Sequence, residues 1–267
     1  MPSPDQMMKN NYHTHMYLCR HAVGTVEDYV KRAIELGFDA IGMSDHAPFE
    51  ELKDRSVRMR PEELETYLAE CEAAVQKYGS RIRVLKGLEI EYFPQHAPMY
   101  RRLTERLDYL ALGQHYVDDP GNRNDLCSVY ALSTERLLET YATTVAAAIA
   151  TGLFKFVCHP DLMLYAWGSF DEPARRASEK IIAAAVEHKV PLEINANGIR
   201  KKMRPYPEGE RYAYPRKEFW ELARRMGVTV IVSSDAHTPD QLWDEDVKRC
   251  YEFSSALDLR VAEVLEF

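Results

Sequence analysis

Phe38-Asp39-Ala40-Ile41-Gly42-Met43-Ser44-Asp45-His46 decides the fold class. Its first six residues form a short, mostly apolar run of buried-strand type, and the run ends in Ser44-Asp45-His46. Residues 26–36, just before it, are amphipathic at helical spacing, with Thr25 placed as a cap and Gly37 where a helix would stop. A helix, one glycine, a buried strand and then a polar cluster make one unit of an alternating α/β chain.

The unit recurs in both directions. Upstream, Asn10-Asn11-Tyr12-His13-Thr14-His15 reads as the first strand. Downstream, Pro61 opens a helix that Gly79 ends, and further strands are expected at 83–91, 108–113, 155–158, 191–197 and 228–232. Helices are expected at 97–105, 133–152, 171–189, 215–226 and 239–253. Residues 47–60, 116–132 and 199–214 read as loops, and the tail from 257 as a final strand or helix. Seven strand-then-helix units predict a parallel sheet. In a chain of 267 residues they predict a closed or nearly closed (β/α)7 TIM-like barrel, with an open doubly wound sheet as the alternative. Nothing divides residues 1–267, so a single domain is expected. Neither a G-x-G-x-x-G nor a P-loop pattern is present.

Hydrophobic residues make up 46% of the chain and charged residues 28%, enough apolar mass for a sizeable core. The net charge of -8 argues against sequence-independent nucleic-acid binding, which needs a basic surface. It does not disfavour an anionic substrate if a metal centre supplies local positive charge. Five scattered cysteines, with no C-x-x-C pair, point to a reducing compartment. The N-terminal residues lack a secretory signature and no run of apolar residues is long enough to span a bilayer, so a cytoplasmic protein with no membrane partner is expected. Homo-oligomerisation is left open.

The polar residues at the strand ends carry the chemistry. His13 and His15, two apart on a strand, point to the same side, and His21 follows them. His46, Glu89, His115, His159, Asp235 and His237 stand on or at the ends of later strands. In a parallel barrel all strand C-termini share one rim, so these nine side chains converge. Seven of the nine histidines of the chain belong to this set; His96 and His188 read as structural. A histidine at a strand end is by itself an ordinary hydrogen-bonded residue. Seven together need something to occupy the imidazoles. Nine nitrogen and oxygen ligands are too many for one ion and suit two or three with a bridging carboxylate. Such a donor set accepts Zn, Fe or Mn, among others. A multi-metal site generates hydroxide near neutral pH and holds anionic oxygens, the two things that phosphate-ester hydrolysis most needs.

These residues resemble a known family. H-x-H on the first strand, S-D-H on the second, G-L-E-I-E-Y on the third, Q-H on the fourth, H-P-D on the fifth and S-D-A-H on the seventh are similar to the polymerase and histidinol phosphatase (PHP) superfamily. The chain looks most like its stand-alone histidinol-phosphate phosphatases, with Ser56-Val57-Arg58-Met59-Arg60 and Gly87-Leu88-Glu89-Ile90-Glu91-Tyr92 similar to that branch. The resemblance implies a distorted seven-unit barrel with a trinuclear centre. By motif position, His13, His15, Glu89 and Asp235 would hold one ion. Glu89, His115 and His159 would hold a second, and His21, His46 and His237 a third. Asp45 is expected behind the ligands, orienting a histidine. Asp161 is expected in a similar place or as a general acid. The family grips phosphate with arginines, and Arg200 matches one such position, while Leu164 stands near the other. Arg58 or Arg60 are the candidates to replace it.

The expected activity is therefore hydrolysis of L-histidinol phosphate to L-histidinol and phosphate by hydroxide generated at the metals, with His13, His15, Glu89, Asp235 and His237 as the catalytic core and a small phosphorylated substrate as the only partner. A phosphoesterase for another small ester, such as a nucleotide or sugar phosphate, is the alternative, and Leu164 motivates it. A non-catalytic metal-binding module, of the kind attached to some bacterial polymerases, is a third reading.

Overall fold

The computed structural model describes residues 8–49, 52, 56–119 and 125–266. In chain order the elements are β1 (Asn10–Asn11), α1 (Val26–Glu35), β2 (Ala40–Met43), α2 (Leu64–Tyr78), β3 (Arg83–Ile90), α3 (Ala97–Thr104), β4 (Tyr109–Leu112), β5 (Tyr116–Asp118) and β6 (Leu126–Ser128). They continue as α4 (Glu135–Ala150), β7 (Phe154–Val157), α5 (Glu172–His188), β8 (Leu192–Asn195), α6 (Ala196–Arg200), β9 (Arg204–Tyr206), β10 (Gly209–Arg211), α7 (Lys217–Met226), β11 (Val230–Ser233) and α8 (Glu245–Ala256). The helix starts follow their caps. Thr25 accepts from the Asp28 amide while Asp28 accepts from the Thr25 amide, a reciprocal pair that satisfies two otherwise unpaired donors. Asp171 and Asp244 cap α5 and α8 with their side chains alone, accepting from the Ala174 amide and from the Asp246 and Val247 amides.

Seven strands pair side by side in the order β1-β2-β3-β4-β7-β8-β11, and every pairing is parallel. The two edges of this sheet meet. Thr14 bridges Ala236, His15 donates its amide to the Ala236 carbonyl at 2.9 Å, and the Ser234 amide donates to Asn11 Oδ1 at 2.9 Å. The sheet is therefore a nearly closed seven-stranded barrel. The seam joins the segment after β1 to the segment after β11, so residues over 200 positions apart in sequence become neighbours on one rim.

The barrel interior follows from period-two alternation. On β3, Leu85, Gly87 and Glu89 share the inward face. Leu85 packs with Tyr12, Tyr109, Phe156 and Ile231 in a small apolar cluster distinct from the main core between sheet and helices. Gly87 is required for this: a Cβ there would lie 2.3 Å from the Tyr109 ring. Tyr109 in turn donates to the Tyr12 carbonyl at 2.7 Å. The apolar plug fills the lower barrel and leaves the polar residues of each strand at its C-terminal end.

Four expectations need correction. Residues 116–132 are not a plain loop: β5 and β6 form an antiparallel hairpin there. The chain after β8 turns directly into α6, because the Asn195 side chain accepts from the Asn197 amide and caps a helix where a longer strand is expected. The segment 199–214 contains a second hairpin, β9 and β10. The tail is neither strand nor helix; it makes one bridge, Val261 to Val230, and Leu265 donates its amide to Tyr12 Oη at 3.1 Å.

Candidate metal centre

All nine expected ligand residues come together at the C-terminal rim. Eight of them line one cavity of about 360 Å³, and His13 lies beneath, fully buried. The His13 and His15 Nε2 atoms are 3.1 Å apart. Glu89 Oε2 lies 3.4 Å from His13 Nε2, 3.5 Å from His15 Nε2 and 2.9 Å from His46 Nδ1. Asp235 Oδ1 lies 3.6 Å from His13 Nε2 and 3.1 Å from His15 Nε2. The other Glu89 oxygen, Oε1, faces His159 Nε2 at 2.9 Å and His115 Nε2 at 3.6 Å. Across the rim, His21 Nε2 and His237 Nε2 are 2.9 Å apart.

The backbone and a ring of supporting groups fix this geometry. Gly113 leaves room for Glu89, since a Cβ there would lie 2.1 Å from Oε1. His159 and Asp235 adopt positive φ of 32° and 45°, a costly conformation for residues with side chains that the surrounding structure imposes. Five histidines are oriented through Nδ1. His13 faces Glu193 at 2.7 Å, His15 faces Asp45 at 3.3 Å and His115 faces Glu91 at 3.2 Å. His21 and His237 face the carbonyls of Cys19 and Asp235 at 2.8 and 3.0 Å. A proton on each Nδ1 leaves the Nε2 lone pair directed inward.

That arrangement brings candidate ligand atoms face to face. Glu89 Oε2 and Asp235 Oδ1 are buried and accept no hydrogen bond, and two pairs of imidazole nitrogens face one another at contact distance. Burial opposes charge on Glu89 and Asp235, yet the surrounding histidines hold both carboxyls well below the usual range. Burial pushes His46 well down, and burial with the adjacent His15 takes His237 to about 3. Burial opposes charge on His13 and His15 as well, yet the carboxylates around them, Glu193 and Asp235 for His13 and Asp235 and Asp45 for His15, push both up. Carboxylate oxygens and imidazole nitrogens facing one another at this range are a donor set for cations, and the residues present fit two or three of them.

Asp45, after β2, stands behind His15 at the end of the neighbouring strand, orienting a histidine as expected. Asp161 has a different employment: its Oδ2 accepts from the Arg216 amide at 2.6 Å and the Trp220 indole at 3.0 Å, fixing the start of α7. Arg200 does not reach into the cavity. Its guanidinium bonds Asp244 at 2.7 and 3.2 Å and the carbonyls of Ser234 and Gln241, so its donors are consumed between α6, α8 and the loop after β11. Leu164 is buried. Arg58 forks onto Glu91 at 2.8 and 3.2 Å and thereby steadies the carboxylate behind His115. Among the described residues, Lys201 is the lysine or arginine that lines the cavity. Sequence reading missed Glu193, Glu91 and Lys201. Glu193 carries a usable signal, a lone acid amid apolar residues in Pro191-Leu192-Glu193-Ile194, on the same face as Asn195.

The "PHP domain" family profile matches residues 11–197. A protein of Deinococcus radiodurans named "Probable histidinol-phosphatase" is 30% identical over 236 residues, covering 86% of each chain. The "Histidinol-phosphatase" of Bacillus subtilis is 25% identical, covering 86% of this chain and 94% of its own. A Lactococcus lactis histidinol phosphate phosphatase, solved with Zn, L-histidinol and phosphate, shares the fold with a TM-score of 0.72 at 15% identity, covering 97% of this chain and 99% of that one. The profile spans the strand ends from His13 to His159, and the chain belongs to the PHP domain family.

Proposed function

We propose that this protein is a metal-dependent phosphomonoesterase that hydrolyses L-histidinol phosphate to L-histidinol and phosphate. The observation that carries the reading is the convergence of His13, His15, His21, His46, Glu89, His115, His159, Asp235 and His237 in and directly beneath one cavity, with Glu89 Oε2 and Asp235 Oδ1 buried there and accepting no hydrogen bond. The names of the relatives from Deinococcus radiodurans and Bacillus subtilis support the substrate. Residues 1–267 form one hydrolase domain in this reading, and the protein serves cytoplasmic histidine biosynthesis. No helix among the described residues is long and apolar enough to cross a membrane.

Two or three bound divalent cations, Zn, Fe or Mn, would supply positive charge to the phosphoryl oxygens and acidify water. His13, His15, Glu89 and Asp235 would hold one, Glu89 with His115 and His159 a second, and His21, His46 and His237 a third. Glu89 is placed to bridge, since its two oxygens face different histidines. Glu193, Asp45 and Glu91 keep His13, His15 and His115 in one tautomer and one orientation. The test is metal analysis of the purified protein alongside phosphate release from L-histidinol phosphate. His13→Ala and Asp235→Ala should each lower metal content and abolish turnover. Full activity in a metal-free preparation would sink the proposal.

A second reading keeps the chemistry and changes the ester to a nucleotide or sugar phosphate. Two observations favour weighing it: Leu164 is apolar and Arg200 is engaged elsewhere. A panel of esters compared by kcat/KM separates the two.

A further inference from the structure

We infer that Lys201 is the residue that holds the phosphoryl group at the cavity mouth, in place of Arg200; the inference rests on the phosphomonoesterase reading. Lys201 caps the C-terminal end of α6, directly beyond β8, and lines the same cavity as the histidines and carboxylates. Its ammonium donates to Tyr130 Oη at 3.2 Å and lies over the rings of Tyr130 and Tyr214, 5.0 and 5.5 Å from their centroids. These electron-rich faces fix the charge against the wall without neutralising it. Among the described residues Lys201 makes no ion pair, and the acids whose fields reach it are Asp235 and Glu89 of the cluster. One hydrogen bond to Tyr130 leaves donors of the ammonium free.

Among the described residues, four other cations are committed. Arg58 and Arg200 are bound as described, Arg204 stacks on Tyr165 at 4.4 Å and Arg211 on Tyr206 at 3.5 Å. A phosphate held by the cluster from below therefore meets, among the described residues, the uncommitted ammonium of Lys201 on the cavity wall. An ammonium there meets the dianion as a point charge, where an arginine would fork.

The experiment measures binding of inorganic phosphate to the metal-loaded protein by calorimetry, for the wild type, K201M and K201R, with metal content and melting temperature alongside. K201M should keep its metals and its fold, and bind phosphate about ten- to hundredfold more weakly, the loss of one charge-assisted contact. Its KM for the phosphate ester should rise by a similar factor, while inhibition by L-histidinol, which carries no phosphate, stays unchanged. K201R keeps the charge and should recover most of the phosphate affinity. Wild-type phosphate affinity in K201M overturns the inference. Equal losses in K201M and K201R overturn it too, as does loss of metal from K201M, because packing or support of the cluster would then be the role. If phosphate binding depends on Lys201 but the wild type leaves L-histidinol phosphate intact, the substrate reading falls and the inference stands.

Discussion

Glu89 shows how much a single position can carry. Its carboxylate is buried, its two oxygens face different sets of histidines, and Gly113 gives it space that any side chain would remove. Glu193 matters as much and touches no cavity. It lies 2.7 Å from His13 Nδ1 and accepts from the His159 amide at 2.9 Å and Asn195 Nδ2 at 2.8 Å, joining two candidate ligands to one acid. Glu193→Gln keeps the shape and removes the charge that fixes the His13 tautomer. We expect metal affinity to fall about 10–100-fold, read by titration of the metal-free protein, with activity recovering at high metal concentration. Unchanged affinity would mean that packing alone orients His13. Arg200 belongs to the same scale but gives the opposite lesson. Its bonds to Asp244, Ser234 and Gln241 are mostly shielded from water, so Arg200→Ala should cost on the order of 2–4 kcal/mol of stability, measured by denaturant unfolding. A variant of native stability with a raised KM would restore Arg200 to substrate binding.

At the scale of elements, the helices outside the barrel are tied together by surface pairs. Glu27 on α1 meets Lys31 on the same helix at 2.8 Å and reaches α2 through Lys77 at 2.9 Å and the Tyr78 hydroxyl at 2.7 Å. Lys31, Tyr78 and Lys77 hold its carboxyl down to about 2. A depressed carboxylate stabilises the fold above its unfolded pKa near 4.5, and this contribution is lost as the pH falls towards 2. Glu27→Gln should therefore melt slightly lower than the wild type above pH 5, and the two should converge in acid. The effect is small because the group is exposed and salt screens it. A difference that grows on acidification would contradict this assignment. Loop elements behave differently from helices: α6 exists because Asn195 caps it, and that short turn puts Arg200 against α8 and Lys201 on the cavity wall.

Over the whole molecule, the seam between the segments after β1 and β11 decides where chemistry can occur. It sets His13 and His15 beside Asp235, while His21 meets His237 slightly farther along the same rim. His21→Ala should accordingly lose one cation per protein and keep the ion of the His13–His15 pair, as elemental analysis would show; loss of all metal would mean a single cooperative cluster. Much of this was legible in the chain. Alternation of helix and buried run, with Gly37, Gly79 and Gly227 as stops, dictates parallel strands, because a helix between two strands must carry the chain back to the starting end. Polar residues at the strand ends then share a rim by necessity, which is why seven histidines could be grouped before any contact was known. The short hairpins and α6 were not legible, since they hang on single side-chain bonds rather than on periodicity. Nor were the partners of the cations. Arg200 and Arg58 read as candidate phosphate grips and Lys201 was not singled out, and only tertiary packing holds the two arginines against Asp244 and Glu91 and leaves Lys201 facing the cavity. Sequence by itself determined the barrel and the gathering of the nine candidate ligands on one rim, because both follow from local periodicity and chain direction; tertiary structure decided the supporting acids and the cation facing the cavity, because those depend on which distant side chain reaches each donor first.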